Sequence, residues 1–265
     1  MDPKGPVALA ERDLLFTAAL VMLLVIVPVF LMAGLFAWRY RAKGSGRYRP
    51  DWSSGAVDAV IWAVPALIVI SLGMLLWQAT HRLDPYTRLD PSVEALEVKV
   101  VAQDWKWLFI YPDLDIASVN ELVFPAGKPL SLKITSDTVM NSLFIPALGG
   151  QIYAMAGMQT RLNLLADDPG TFMGRNTQYS GDGFADQHFT AVAATATDFE
   201  AWVAKARQSP NALDMASYEE LAAPSIAHPV GYYSPVEAGL FDTVIAKYTD
   251  GMAAHHASEH TTPDR

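Results

Sequence analysis

Two long uncharged runs dominate the first third of the chain. From Leu14 to Ala37, and again from Ala59 to Trp77, no side chain carries a charge. At ~1.5 Å of rise per residue, each run is long enough to cross a ~30 Å hydrocarbon core as a helix. Pro28 and Gly34 fall inside the first run, Pro65 and Gly73 inside the second. Lipid-embedded helices tolerate both residue types, and Pro28 predicts a kink. Trp38 and Tyr40 close the first run, while Trp62 and Trp77 lie near the ends of the second, which suits anchoring at the membrane interface.

After a polar linker over residues 84–92 the period changes. Glu94–Val101 alternates polar and apolar residues, the pattern of a half-buried strand. Further strand-like runs are Trp105–Tyr111, Asn120–Phe124, Leu130–Ser136, Val139–Ile145, Thr160–Ala166 and His188–Thr195. Turn chemistry separates them at Tyr111–Asp113, Pro125–Gly127, Asp168–Gly170 and Ser180–Gly183. Short strands with no helices between them predict a β-sandwich. Helical signals come last. Thr197–Glu200 reads as a capping box opening a helix over 199–208, and Ser234–Glu237 as a second one, with Pro235 at the first helical position, before Leu240–Tyr248. A shorter helix is expected around Met215–Leu221. From Gly251 onward apolar periodicity is lost, predicting a disordered tail that holds His255, His256 and His260 in solvent. The chain thus divides into a two-helix transmembrane hairpin over 1–92, a β-sandwich over 93–196, a helical extension over 197–250 and a tail over 251–265.

Charge sets the orientation. Arg39, Arg41, Lys43, Arg47 and Arg49 lie between the two runs, against Asp51 and Asp58, whereas residues 1–13 balance Lys4 and Arg12 against Asp2, Glu11 and Asp13. The positive-inside rule places the connecting loop in the cytoplasm, and both termini with the β-domain outside, in the periplasm of an inner-membrane protein. Arg39 and Arg41 follow the first run where a signal peptide would carry small residues, so this run reads as a retained span. The 265 residues hold no cysteine, which excludes disulfides, thiolate nucleophiles, iron–sulfur ligation and Cys-based metal sites. The net charge of -9 argues against a nucleic-acid partner.

Two spans with a basic loop, then a small sandwich opening on Asp104-Trp105-Lys106-Trp107, resemble subunit II of the haem–copper oxidases. Ser136–Pro146, Gln151–Arg161 and Pro169–Gly174 carry the resemblance most specifically, and it covers roughly Asp2 to Tyr248. The fold it implies is a cupredoxin-like sandwich. Relatives that accept electrons from cytochrome c hold a dinuclear copper centre on two cysteines, two histidines, a methionine and a backbone carbonyl, and soft thiolates are essential to that site. On this pattern the first histidine falls on Asn141, the Cys-x-Glu-x-Cys segment on Asn176-Thr177-Gln178-Tyr179-Ser180, the second histidine on Phe184 and the methionine on Gln187. Every side-chain ligand position is changed, and the neighbouring His188 cannot rescue a site without thiolates. Gln208–Asn211 and Leu221–Ser225 also resemble the copper-free, quinol-oxidising branch of the cytochrome bo type. Members of that branch often carry a lipidated cysteine just before a segment like Asp2–Gly5, a residue this sequence lacks.

The resemblance implies a proton-translocating quinol:oxygen oxidoreductase in which this chain is a structural subunit without catalytic residues or metal of its own. Haems, copper and ubiquinol would sit in subunit I, with subunits III and IV and membrane lipid as further partners, and no cytochrome c docking. Asp58 stands where the family has a carboxylate, usually glutamate, implicated at the mouth of a proton channel. The bland alternative is an acid favoured by a helix N-terminus. Trp105 and Trp107 are expected on one strand face, with Lys106 on the other, as packing that could meet subunit I. The methionines Met140, Met155 and Met158 are expected as pliable fillers, and Asn141, Asn176 and Gln178 as hydrogen-bonding replacements for ligation. Two other readings remain: a membrane-tethered cupredoxin-like scaffold outside any oxidase, and a cytochrome c oxidase subunit II that lost its copper.

Overall fold

The computed structural model describes residues 2–41 and 55–259. The chain forms two compact units, Ala10–Asp84 and a second made of Met1–Leu9 with Pro85–Arg265. The first unit holds most of helix α1 (Pro6–Arg39) and helix α2 (Gly55–Arg82). Both helices outrun the uncharged stretches, because polar residues such as Arg12, Asp13, His81 and Arg82 continue the same backbone ladder past the apolar segment. Helix α1 runs through Pro28, and α2 through Pro65. None of the described residues covers their apolar windows, which are 0% buried, and Phe30 and Trp62 stand 73% and 79% exposed. A helix apolar on all sides is stable in lipid, where its backbone groups are satisfied internally. Of the residues that set the orientation, Lys43, Arg47, Arg49 and Asp51 lie outside the described residues, as does His260 of the tail.

The second unit is the expected sandwich. Its strands are β1 (Leu96–Gln103), β2 (Lys106–Tyr111), β3 (Ile116–Val119), β4 (Glu121–Pro125), β5 (Leu130–Ser136), β6 (Asn141–Phe144), β7 (Ile152–Ala154), β8 (Thr160–Leu164), β9 (Gly170–Asn176), β10 (His188–Ala194) and β11 (Gly231–Tyr233). One six-stranded sheet has the order β11-β3-β2-β1-β5-β8, and a five-stranded sheet faces it in the order β4-β10-β9-β6-β7. Two pairings are parallel: β1 with β5, in register from Leu96↔Leu130 to Ala102↔Ser136, and β10 with β4. Strands β3, β7, β9 and β11 escape the sequence pattern. Strand β9 starts at Gly170, the last residue of the expected Asp168–Gly170 turn, and contains Gly174, which is needed there: a Cβ would lie 2.1 Å from the Phe189 ring. Strands β7 and β11 are three residues each, recruited onto sheet edges by β6 and β3.

The main core lies between the sheets around Trp107, Phe109, Tyr111, Phe124 and Phe189, with aliphatic residues of β1, β5 and β8. A second core covers the opposite face of the larger sheet. There Val101, Leu108, Ile110, Ala117 and Val119 meet Leu213, Tyr218, Leu221, Leu240, Phe241 and Val244. Strand β2 is therefore buried on both faces, which explains its unbroken apolar run.

The C-terminal helices are α3 (Ala196–Arg207), α4 (Met215–Ala222) and α5 (Leu240–Glu259). Their caps differ from expectation. The N-cap of α3 is Thr195, whose hydroxyl accepts from the Asp198 N–H at 3.2 Å, so the helix opens earlier than Thr197 suggested. Ser234–Glu237 opens no helix: Val236 bridges Leu213, and the Glu237 carboxylate accepts from the Met215 N–H at 2.8 Å, at the start of α4. The true capping box is Asp214 with Ser217. Helix α5 continues to Glu259, past the point where the sequence loses its periodicity.

Candidate functional site

Four of the positions aligned with copper ligands, Asn141, Asn176, Ser180 and Gln187, converge in one cluster of the sandwich. Asn141 opens β6, Asn176 closes β9, and Gln187 precedes β10; the backbone bond from Asn176 N–H to Gln187 O (3.0 Å) closes the loop between them. Asn141, Asn176 and Gln187 are buried. The Asn176 amide is the hub. Its Nδ2 donates to Asn141 Oδ1 at 2.6 Å and Gln187 Oε1 at 2.8 Å, with Ser180 Oγ farther off at 3.2 Å. Its Oδ1 accepts from the N–H groups of Ser142 (2.8 Å) and Gln178 (3.0 Å). Ser180 donates its hydroxyl to Gln187 Oε1 at 2.8 Å, and Gln187 Nε2 donates to Gln103 O at 3.3 Å. Asn141 Nδ2 reaches Val139 O at 2.8 Å and Ser136 Oγ at 3.3 Å. Four strands and two loops are thereby tied by neutral hydrogen bonds in a buried setting, where such bonds rigidify.

Two aligned positions stay outside this cluster. Gln178 contributes only its backbone N–H, and the Phe184 ring packs against Tyr179, centroids 5.7 Å apart. His188 is exposed, on the side of β10 that faces away. The oxygen and nitrogen atoms of the cluster are neutral amides and a hydroxyl already engaged with one another. This donor set does not fit a dinuclear copper centre, which needs soft thiolates and imidazoles. Among the described residues no group of three or more His, Asp or Glu is placed to hold a metal ion.

The two tryptophans part company. Trp105 sits at φ 66° in the tight turn between β1 and β2, so the alternation expected of a strand breaks there. Its indole Nε1 donates to Ser180 O at 3.0 Å, and its ring lies so close to Gly183 that a Cβ there would be 2.4 Å away. Trp105 thus lids the former ligand loop. Trp107 points into the main core, 0% exposed and edge-on to Phe189, and has no surface to offer another subunit. Asp58 occupies the first turn of α2 and is exposed within the protein.

Sequence reasoning missed the anchors of the C-terminal extension, because each joins residues far apart in the chain. Lys106 is fully buried, and its Nζ donates to Ala223 O (2.8 Å), Ser225 Oγ (2.7 Å) and Asp104 O (3.3 Å). Burial draws its amine below the usual lysine range, opposed by the charge of Asp104. The Asp137 carboxylate, 1% exposed, accepts from Tyr218 (2.8 Å), Tyr248 (2.9 Å) and Lys247 (2.8 Å). Glu121 accepts from Trp202 Nε1 (2.9 Å) and the Tyr232 hydroxyl (2.6 Å). Burial, then the hydrogen bond to Glu121 and its charge, push the Tyr232 phenol up to about 12. The four tyrosines of the extension, Tyr218, Tyr232, Tyr233 and Tyr248, were the available signal. Asp137 directly follows Ser136, so the extension grips the strand end that supports Asn141.

Comparisons with known proteins identify the family. Residues 113–190 match the family described as cytochrome c oxidase subunit II, periplasmic domain, and residues 207–252 match the COX aromatic rich motif. The chain is 50% identical over 254 residues to cytochrome bo(3) ubiquinol oxidase subunit 2 of Pseudomonas putida, covering 95% of this chain and 81% of that one. It is 48% identical over 256 residues to ubiquinol oxidase subunit 2 of Acetobacter aceti (95% and 83% covered). It is 38% identical over 264 residues to quinol oxidase subunit 2 of Bacillus subtilis (98% and 79% covered).

Proposed function

The chain belongs to the ubiquinol oxidase subunit 2 family, and from that membership we propose that it serves as the non-redox subunit II of a haem–copper quinol oxidase. In this reading two ubiquinol molecules surrender four electrons and four protons, and one oxygen molecule becomes two waters. All electron transfer takes place in subunit I, which carries the haems, the copper and the quinol site. Subunits III and IV complete the assembly. The observation that carries the reading is the mutual hydrogen bonding of Asn141, Asn176, Ser180 and Gln187, which turns the ligand pocket of copper-bearing relatives into a structural clasp. Reducing equivalents then arrive through the lipid phase. Ubiquinol is favoured over other quinols because the two relatives of higher identity named above carry it in their names.

The two helices anchor the chain in the inner membrane, with the sandwich and both termini on the periplasmic side. Asp58, at the start of α2 on the cytoplasmic side of this orientation, collects protons for a channel in subunit I. An ionisable side chain at a span boundary beside a partner subunit supports that role. Trp105 is half-buried, against the fully buried Trp107, and is the one of the tryptophan pair with surface for subunit I.

The test is purification through this chain from mildly solubilised membranes. Haem-bearing subunit I should co-purify, and oxygen uptake should follow addition of a short-chain ubiquinol but not of reduced cytochrome c. Recovery of the chain apart from any haem protein would favour the scaffold reading, and respiration driven by cytochrome c would overturn the copper-free assignment. Asp58→Asn should slow proton uptake coupled to oxygen reduction, and unchanged uptake kinetics would remove Asp58 from the channel.

A further inference from the structure

A polar cleft of about 360 Å³ lies at the start of the sandwich, between the linker that leads into β1 and the ends of β5 and β8. It is lined by Arg88, Lys133 and Arg161 and by Asp90, Glu94, Glu97 and Asp113. Part of this charge is satisfied internally. Lys133 pairs with Glu97 at 2.8 Å, and Asp90 accepts from the Ser92 N–H (2.9 Å) and hydroxyl (2.6 Å). Arg88, Arg161, Glu94 and Asp113 form no ion pair among the described residues. Arg161 Nε is buried and has no hydrogen-bond partner among the described residues. A buried donor left open in this way calls for an acceptor from outside the chain. The planar guanidinium fork matches phosphate oxygens, and the two unpaired carboxylates in the same cleft match an ammonium group.

Two observations tie the cleft to lipid. Arg88 follows the end of α2 at Arg82 by six residues, which reach at most about 20 Å. Asn163 holds this linker by donating to Pro85 O and Thr87 O, while Lys4, just before α1, is bonded to Ala147 and Asp167. Both chain segments leading to the spans therefore meet the sandwich around β8. The cleft wall also carries Leu89 and Val93, apolar side chains 37% and 43% exposed, which suit a glycerol ester better than a free anion.

We propose that this cleft binds the headgroup of a zwitterionic phospholipid of the ethanolamine type, its phosphate on Arg161 and Arg88 and its ammonium on Glu94 and Asp113. The site requires the chain to be membrane-anchored, but not the quinol chemistry, so it stands or falls separately from the proposed function.

The test uses the intact complex in nanodiscs containing a phosphatidylethanolamine with a diazirine near the glycerol, irradiated and mapped by mass spectrometry. Labelling is expected on the peptide spanning residues 85–97. It should fall about tenfold in Arg161→Gln and in the Glu94→Gln, Asp113→Asn double variant, each removing charged hydrogen bonds. Labelling of α1 and α2 peptides should stay constant and serves as the reference for folding and insertion. Arg161→Lys, which keeps the charge, should retain part of the signal. Equal labelling in Arg161→Gln would overturn the site. Equal labelling by a phosphatidylglycerol probe would overturn the zwitterionic assignment, and loss of labelling in excess inorganic phosphate would identify a free-anion site instead.

Discussion

Replacing Asn176 by alanine tests whether the clasp stabilises the domain. The substitution removes an amide that donates to Asn141 and Gln187 and accepts from Ser142 and Gln178. Gln187 Oε1 keeps the Ser180 hydroxyl, and the half-exposed Gln178 N–H can turn to water. Two buried groups are left stranded, Asn141 Oδ1 and the Ser142 N–H. Each unsatisfied buried group costs about 1–3 kcal/mol, so Asn176→Ala should destabilise the unit by about 2–6 kcal/mol. For a unit of this size that corresponds to a fall in Tm of roughly 4–24 °C. Thermal unfolding of the purified complex, followed by tryptophan fluorescence, reads it directly, because Trp105 is bonded to Ser180 in the same loop. Quinol-driven oxygen uptake well below the transition should be unchanged, since no electron passes through the clasp. A Tm within about 1 °C of the parent would mean that water replaces the amide at no cost, and the reasoning would fail. Loss of turnover without loss of stability would refute it from the other side.

Three further outcomes follow from the packing and titration of the same unit. Gly183→Ala places a methyl 2.4 Å from the Trp105 ring, so the indole must leave its seat: the cost should be about 1–3 kcal/mol, with a red-shifted Trp emission, and an unshifted spectrum would contradict the lid assignment. Glu121→Gln removes the charge that helps hold the Tyr232 proton, so the phenol should titrate lower than about 12 in an ultraviolet pH titration, though still above an exposed tyrosine because burial is the larger cause. Tyr232 binds its proton more tightly folded than unfolded, so its stabilising contribution is complete below pH 10 and is lost as pH rises towards about 12; urea midpoints should fall across that window, and fall less in Tyr232→Phe.

Much of this protein was legible in linear order. The two spans stand out because lipid demands unbroken apolar runs, a constraint that depends on composition alone. Strand β5 matches its expected range, since its alternation is met by one buried face, with Ser131 and Lys133 half-exposed on the other. The loss of copper ligation was equally legible, because thiolate chemistry requires cysteine and the sequence has none. Strand β9 was hidden in part by Gly174, whose missing side chain makes room for Phe189, a partner that only folding brings near. The expected pairing of Trp105 with Trp107 failed for a related reason: the turn closing β1 onto β2 takes Trp105 into a left-handed conformation and so out of the strand's alternation.

The sequence by itself determined the membrane anchorage, the sandwich class and the inability to build a thiolate metal centre, since each depends on residue type and local period. Tertiary structure alone decided what stands in the metal's place and how the extension is fastened. Asn141, Asn176 and Gln187 become a clasp only when β6, β9 and β10 align. Lys106, Asp137 and Glu121 find their partners across separations of up to 119 residues. Hydrogen bonds of that kind are fixed by the geometry of the assembled sheets, and no local period along the chain encodes them.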